Sequence, residues 1–481
     1  MTTALPYRRL DAATSVLGAR EAIIVGGLIA SLIVWLPLQT PVAAIAYQYG
    51  GVPVSAARGL LVLKDLVVAV AVVALLVRHR SGLGLRWYDA AALAYVGLIA
   101  VYSIVPWLLG SDLPFMSVAG SARVFAVPVE LYALGRLAVL SGVDIAAIVR
   151  VYLLASAVAA LFAIGQWMLT SETFWTATID MPRFVREVQG LPGALSLWDI
   201  SILGHYGIGA GNTGQFLRAI GPFTHPVGTG HYFVAPLLLA VARTMSLELG
   251  RDVRASIGWL SLSLLFAAAV VTPISRGSWI AAGLGVLILG LAFRKIRMAM
   301  AAVLLTGLFV VIVPPFSYSV SSALSFQDSS VIAHGEAVGE GVGTVIDNPI
   351  GLGVGQADQF GSAFAGDGDS AGVGENMYLS VLVTVGPLGL LAFLLWMIGL
   401  ASGLAPHRGA SISWTRVALF AALVGYAVSA LTASSLMRFT TSGSFWLLVG
   451  LLVLDGHADV RRGIAAVRRQ LPDVRMPSRS R

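Results

Sequence analysis

The spacing of its apolar runs constrains this chain more than any other feature. Stretches of roughly twenty residues with almost no charge recur from Ala22 to Leu454, separated by short polar turns. At about 1.5 Å of rise per residue, such a run crosses about 30 Å of hydrocarbon as a helix. The runs fall near Ala22–Leu38, Gly59–Val77, Tyr88–Leu109, Val118–Leu140, Ile145–Leu169 and Val227–Met245. They continue near Ser256–Ile274, Trp279–Phe293, Met298–Phe316, Met377–Leu400, Val417–Leu436 and Ser442–Leu454. This pattern predicts an all-α, polytopic membrane protein with about twelve transmembrane helices. Composition agrees, because 57% of the 481 residues are hydrophobic and 11% charged, where soluble domains carry about a quarter charged residues. The first run follows Arg8, Arg9 and Arg20 and precedes Ala44-Ile45-Ala46, as in a signal peptide, but the spans that follow favour a retained first helix.

Basic residues accumulate on the cytoplasmic side of a membrane, and here they set an orientation. With the N-terminus inside, the clusters Arg78/Arg80/Arg86, Arg243/Arg251/Arg254, Arg294/Lys295/Arg297 and Arg408/Arg416 all fall in the cytoplasm. The opposite face keeps Arg58, Lys64, Arg123, Arg183, Arg186, Arg218, Arg276 and Arg438. The expected organisation is therefore a cytoplasmic segment 1–21, a transmembrane catalytic domain 22–455 with extracytoplasmic loops 170–224 and 317–375, and a basic cytoplasmic tail 456–481. The net charge of +7 then reflects membrane sidedness and attraction to anionic lipid, not nucleic acid. The absence of Cys excludes disulfides, cysteine metal sites and a cysteine nucleophile.

Charged groups in or just under the membrane are costly unless paired or wet, so they are informative. Lys64, Arg123, Arg218 and Arg276 are expected at one level near the outer surface, with Asp65 beside Lys64 and Glu130 deeper. Each cation alone also suits snorkelling or a structural ion pair. Together they suit a multiply charged anion at the membrane surface, such as a lipid-linked pyrophosphate. The longest polar run, Ser325 to Pro387, contains His334 and the steps Asp347-Asn348-Pro349 and Glu375-Asn376-Met377-Tyr378. Gly351-Leu352-Gly353-Val354-Gly355 lacks the Lys-Ser/Thr and preceding strand of a phosphate loop and reads as a flexible turn. Asp367-Gly368-Asp369 lacks a calcium loop's bidentate Glu, and His205, His225, His231 and His334 lack zinc spacing, so no metal or cofactor is expected. Glu375 precedes an apolar span, where a general base and a helix-capping acid both fit.

In this order the pieces resemble the O-antigen ligase and polysaccharide polymerase family of bacterial membrane proteins. The matching residues are Lys64-Asp65, Arg123 to Arg136, Arg218-Ala219-Ile220-Gly221-Pro222-Phe223-Thr224-His225-Pro226 and Ser275-Arg276-Gly277-Ser278-Trp279. They continue through Ser330 to His334, Asp347 to Gly355, Glu375 to Leu379, and Gly386-Pro387-Leu388-Gly389. The resemblance implies a metal-independent glycosyltransferase of the bacterial inner membrane with both termini cytoplasmic. Its donor would be a glycan on undecaprenyl pyrophosphate and its acceptor another glycan or a lipid, with chain-length regulators or flippases as partners. By the same likeness Arg276 and Glu375 are catalytic, and Arg218, Arg123, Lys64, His334, Asn376 and Tyr378 bind pyrophosphate or glycan. Ligases of the family carry His where this chain has Glu375, which favours a polymerase over a ligase. A glycolipid flippase is the remaining alternative, although flippases tend to show internal repeats.

Overall fold

The structure of the protein, a computed structural model, describes residues 7–80, 83–108, 110–169, 180–188, 202–207, 213–223, 225–247, 253–325, 329–356, 376–406 and 413–453. Helices α1 (Tyr7–Tyr49), α2 (Val54–His79), α3 (Trp87–Tyr102), α4 (Val105–Leu108), α5 (Phe115–Leu140) and α6 (Ile145–Leu169) make the first half. A short α7 (Met181–Glu187) and an antiparallel hairpin, β1 (Ile202–Gly207) with β2 (Thr213–Leu217), follow. The second half comprises α8 (Pro226–Ser246), α9 (Val253–Val271), α10 (Arg276–Ala292), α11 (Ile296–Ile312), α12 (Pro314–Leu324), α13 (Ser329–Asp347), α14 (Met377–Leu404), α15 (Trp414–Ser429) and α16 (Phe439–Leu452).

Each expected apolar run overlaps a helix, although Ser256–Ile274 and Val417–Leu436 run past the ends of α9 and α15, and Tyr88–Leu109 and Met298–Phe316 are each divided between two helices. Six, or seven if α11 and the bent α12 form one span, are long and apolar enough among the described residues to cross a membrane. Helices α10, α15 and α16 are apolar but shorter, and α5 carries Arg123, Glu130 and Arg136. The protein is thus a helical, polytopic membrane protein. Helix α16 is only 14 residues long, about 21 Å, yet nearly all of it is buried, as is α8. A helix apolar on every side belongs at the centre of a bundle, where protein neighbours cover its ends.

The structure adds detail to three of the expected segments. Helix α1 does not stop at Leu38 but runs through Pro37 and Pro41 to Tyr49, because Ala43 and Ala44 pack against Phe184, Val185 and Ile220. The loop 170–224 contains α7, and Arg58 caps it, donating from Nε to Val188 O at 2.9 Å and from Nη2 to Glu187 O at 2.8 Å. The Tyr47 hydroxyl donates to Glu187 and holds that carboxyl below its ordinary range. The loop 317–375 is helical over most of its described part, as α12 and α13. Glycines at 335, 339, 341 and 343 obscure the helical period of α13, whose register is nonetheless set by Val345 packing with Leu352, Leu379 and Val383.

The glycine run, read from the sequence as a flexible turn, is instead a buried, hydrogen-bonded segment. Helix α14 breaks at Gly386 (φ 73°, ψ −179°), one residue before Pro387. Proline has no N–H and frees a carbonyl four residues back. The extended run fills that gap, with Leu352 N donating to Val383 O at 2.8 Å and Gly353 N to Thr384 O at 3.2 Å. Val354 N then donates to Tyr102 O at 3.0 Å, and the Tyr102 hydroxyl to Ile350 O at 2.6 Å. Gly351, Gly353 and Gly355 all have φ between 93° and 99°, a region that favours glycine. Gly351, Gly353, Val354 and Gly355 are buried. The N–H groups that a phosphate would need are already occupied.

Candidate functional site

Four helices begin at one end of the bundle. At Gly228 an added Cβ would meet Thr441 Oγ1 at 3.0 Å, so the starts of α8 and α16 touch. At Gly230 it would meet Ser278 Cβ at 3.0 Å, so the starts of α8 and α10 touch as well. Met377 N donates to Ala430 O at 3.0 Å, and the Tyr378 hydroxyl donates to Ala427 O at 2.6 Å, docking the start of α14 on the end of α15. The end of α15 closes the ring through Ser429 Oγ, 3.2 Å from His231 Nε2 on α8. Helix N-termini present partial positive charge, equivalent to about half an elementary charge each.

Two groups of cations sit at this end. In the first, Asp65 Oδ2 forms ion pairs with Arg123 Nη2 at 2.8 Å and Lys64 Nζ at 3.7 Å. Lys64 is buried, donates to Leu61 O, and stands 4.8 Å above the Phe439 ring. Glu130, two turns along α5, lies within electrostatic range of Asp65 and Arg123. Arg136 belongs elsewhere, about 20 Å further along α5, where it pairs with Asp89 at 3.2 Å.

In the second group, Arg218 donates from Nε to Pro273 O at 2.8 Å and from Nη2 to Ile274 O at 3.1 Å. Ile274 has φ of 52°, a genuine outlier for a β-branched residue that costs on the order of 1–3 kcal/mol. Arg218 grips this strained turn, and Ala219 N adds a bond to Thr272 O at 3.2 Å. Gln166 Oε1 on α6 holds the same approach segment, accepting from Ile220 N at 3.1 Å and Gly221 N at 2.8 Å. Arg276 is the first residue of α10. Its Nη1 donates to Ser319 O on α12 at 3.1 Å.

The structure therefore splits the four expected cations into two groups, and adds one that sequence reasoning left out of the site. Arg438 occupies the N-cap position of α16, beside Phe439, whose ring lies under Lys64, and is within electrostatic range of His225 and His231. Its sequence signal was a basic residue on the outer face, immediately before a short apolar run. Asn376 Oδ1 caps α14 by accepting from Leu379 N at 3.0 Å, so Asn376 and Tyr378 both hold α14 in place. His334 is half-buried on α13. His231 is structural: Nδ1 faces Val227 O at 2.8 Å, which makes it the protonated nitrogen, and Nε2 faces Ser429. Among the described residues no three His, Asp or Glu side chains are grouped to hold a metal ion. Glu375, Asp367 to Asp369 and the basic tail lie outside the described residues.

Residues 261–394 match a family described as O-antigen ligase. The match includes Arg276, α13, the glycine run, Asn376, Tyr378 and the break in α14. This segment of the chain is thus similar to O-antigen ligases. No curated protein matches the chain.

Proposed function

We propose, with the O-antigen ligase match over residues 261–394 as premise, that the chain is a membrane glycosyltransferase. It polymerises glycan repeat units carried on undecaprenyl pyrophosphate. The observation that carries this reading is the gathering of Arg276, Arg218, Arg438 and the Lys64–Asp65–Arg123 group where four helices begin. Fixed cations and N-terminal dipoles stabilise the charge that grows on a leaving pyrophosphate.

In the transfer step the acceptor hydroxyl oxygen bonds to the anomeric carbon as the bond from that carbon to the pyrophosphate oxygen breaks. The bonding pair departs with undecaprenyl pyrophosphate, and the hydroxyl proton passes to a carboxylate, assigned to Glu375. Arg276 faces the leaving group, with Arg123, Lys64 and Arg438 on its lipid-linked phosphates. Arg218 positions Arg276 through the strained turn, Asn376 and Tyr378 set the start of α14, and His334 touches glycan. The charge needed is supplied by the protein, so the reading is metal-independent. The distribution of basic residues supports placing this end outside a bacterial plasma membrane, with twelve crossings and both termini in the cytoplasm. Glu375, where ligases of the family carry His, supports polymerase over transfer of finished glycan to another acceptor.

The test is to incubate the purified protein with an undecaprenyl-pyrophosphate oligosaccharide alone, with EDTA present, and resolve the products on a gel. A ladder of repeat lengths is expected. Transfer only after a second acceptor is added would make the protein a ligase. Movement of the lipid across a vesicle membrane with no released undecaprenyl pyrophosphate would replace the enzyme with a transporter.

A further inference from the structure

We propose that α13 lies in the interfacial layer of the membrane leaflet at the cation-bearing end of the bundle, with one apolar face against lipid. The helix has three faces. Val331, His334, Ala337, Gly341 and Val345 recur at helical spacing and turn toward the protein, where Val345 joins Leu352, Leu379 and Val383. Ile332, Val338, Val342 and Ile346 form a second apolar face that is left exposed among the described residues: Val342 is 48% exposed and Ile346 73%. Glu336 and Glu340 are exposed on a third face, roughly 120–160° around the helix from Val342. An apolar face beside a charged one is the pattern of a helix lying in the plane of an interface.

Its neighbours place it at the membrane boundary. Helix α14 is 28 residues long, about 42 Å against about 30 Å of hydrocarbon, so part of it projects beyond the lipid core. Before its break, α14 is buried or half-buried throughout; after it, Pro387, Leu388, Leu391, Leu395 and Ile398 are exposed along one stripe. Lipid contact on α14 thus begins at the break. Ile350, 68% exposed, sits against that same point, because an added Cβ at Gly386 would meet Ile350 C at 3.1 Å. The exposed face of α13 therefore runs through Ile346 and Ile350 into the lipid-facing stripe of α14. The chain also arrives in the right direction. The segment Phe316–Leu324 of α12 bends 87° from α11, which exposes Leu304, Leu305 and Leu308 as a crossing helix does, so α12 runs along the membrane plane. Tyr318 and Leu324 are exposed on it, and Tyr is enriched at membrane interfaces. A second copy of the chain or another protein would also cover apolar side chains, but continuity with the lipid-facing stripe favours lipid.

The absence of Cys makes the test direct. The full chain, reconstituted in phosphatidylethanolamine–phosphatidylglycerol nanodiscs, carries one nitroxide at a time on Val338→Cys, Val342→Cys, Ile346→Cys, Glu336→Cys or Glu340→Cys. Leu391→Cys, on the lipid stripe of α14, gives the in-membrane reference. Collisions with oxygen are expected to exceed those with a nickel chelate at 338, 342 and 346, as at 391, with the order reversed at 336 and 340. Nickel relaxing the Val342→Cys label as strongly as the Glu340→Cys label would put the helix in water. Shielding of all three apolar sites from both reagents would mean that protein covers the face. Either result overturns the proposal. The labels read position and not turnover, so this outcome is independent of the glycosyl-transfer reading.

Discussion

Lys64 and Arg123 share a carboxylate, whereas the guanidiniums of Arg218 and Arg276 donate to backbone carbonyls. The two arrangements lead to different chemistry. A carboxylate orients two cations but cancels one unit of their charge. A carbonyl dipole orients a guanidinium and cancels none. The first group is also spread over two long helices, with Lys64 buried and Asp65 and Arg123 half-buried, while the second is built on a strained turn at a helix start. Strain of this kind persists where surrounding structure over-determines it, and it clusters at functional sites. On the proposed function, the contrast suits the Arg276 side to the developing charge and the Lys64 side to the bound lipid phosphate.

Breaking the second group has the largest expected effect. Arg276→Ala should lower turnover by about two to three orders of magnitude, the usual consequence of removing a donor aimed at developing negative charge. Membrane insertion and thermal unfolding should be nearly unchanged, and Arg276→Lys should recover little, because a point charge does not replace a planar fork. Near-normal repeat-unit ladders from Arg276→Ala would transfer the role to the other group. Arg218→Lys should cost less, about ten- to a hundredfold, because misplacing a catalytic group by an ångström costs on that order. A double variant separates its roles. Ile274→Gly permits the positive φ without strain, so it should restore part of the activity of Arg218→Lys if Arg218 acts through the turn. No rescue would mean that Arg218 meets the substrate itself.

The helical, membrane-spanning character was legible in the sequence, because hydropathy acts locally along the chain. What was not legible depends on partners far along the chain. The glycine run read as a loose turn because its partners, Tyr102 and the carbonyls of Val383 and Thr384, come from other helices. The grip of Arg218 on the strained turn was not legible because nothing local announces that Pro273 and Ile274 will offer it carbonyls. Helix α13 was hidden by its glycines, which lower helix propensity while leaving room for packing. Arg438 was visible as an outer-face cation, but only the contact between Lys64 and Phe439 brings it to the site.

The smallest expected effect tests the carboxylate itself. Asp65→Asn keeps the shape and a hydrogen-bond acceptor for Arg123 but removes the charge that Lys64 and Arg123 share. Two like charges then face each other in a partly buried site, so the melting temperature should fall by several degrees. The same change adds one unit of net positive charge beside the bound anion. At an effective dielectric near 20, with further discount because Arg123 is 37% exposed, this is about 0.5–1 kcal/mol, or roughly two- to fivefold in affinity. The variant should therefore be less stable yet bind the pyrophosphate donor more tightly, with KM reduced and kcat little changed. A lower melting temperature with an unchanged KM would make Lys64–Asp65–Arg123 a structural pairing. Donor binding would then rest on the carbonyl-held arginines alone.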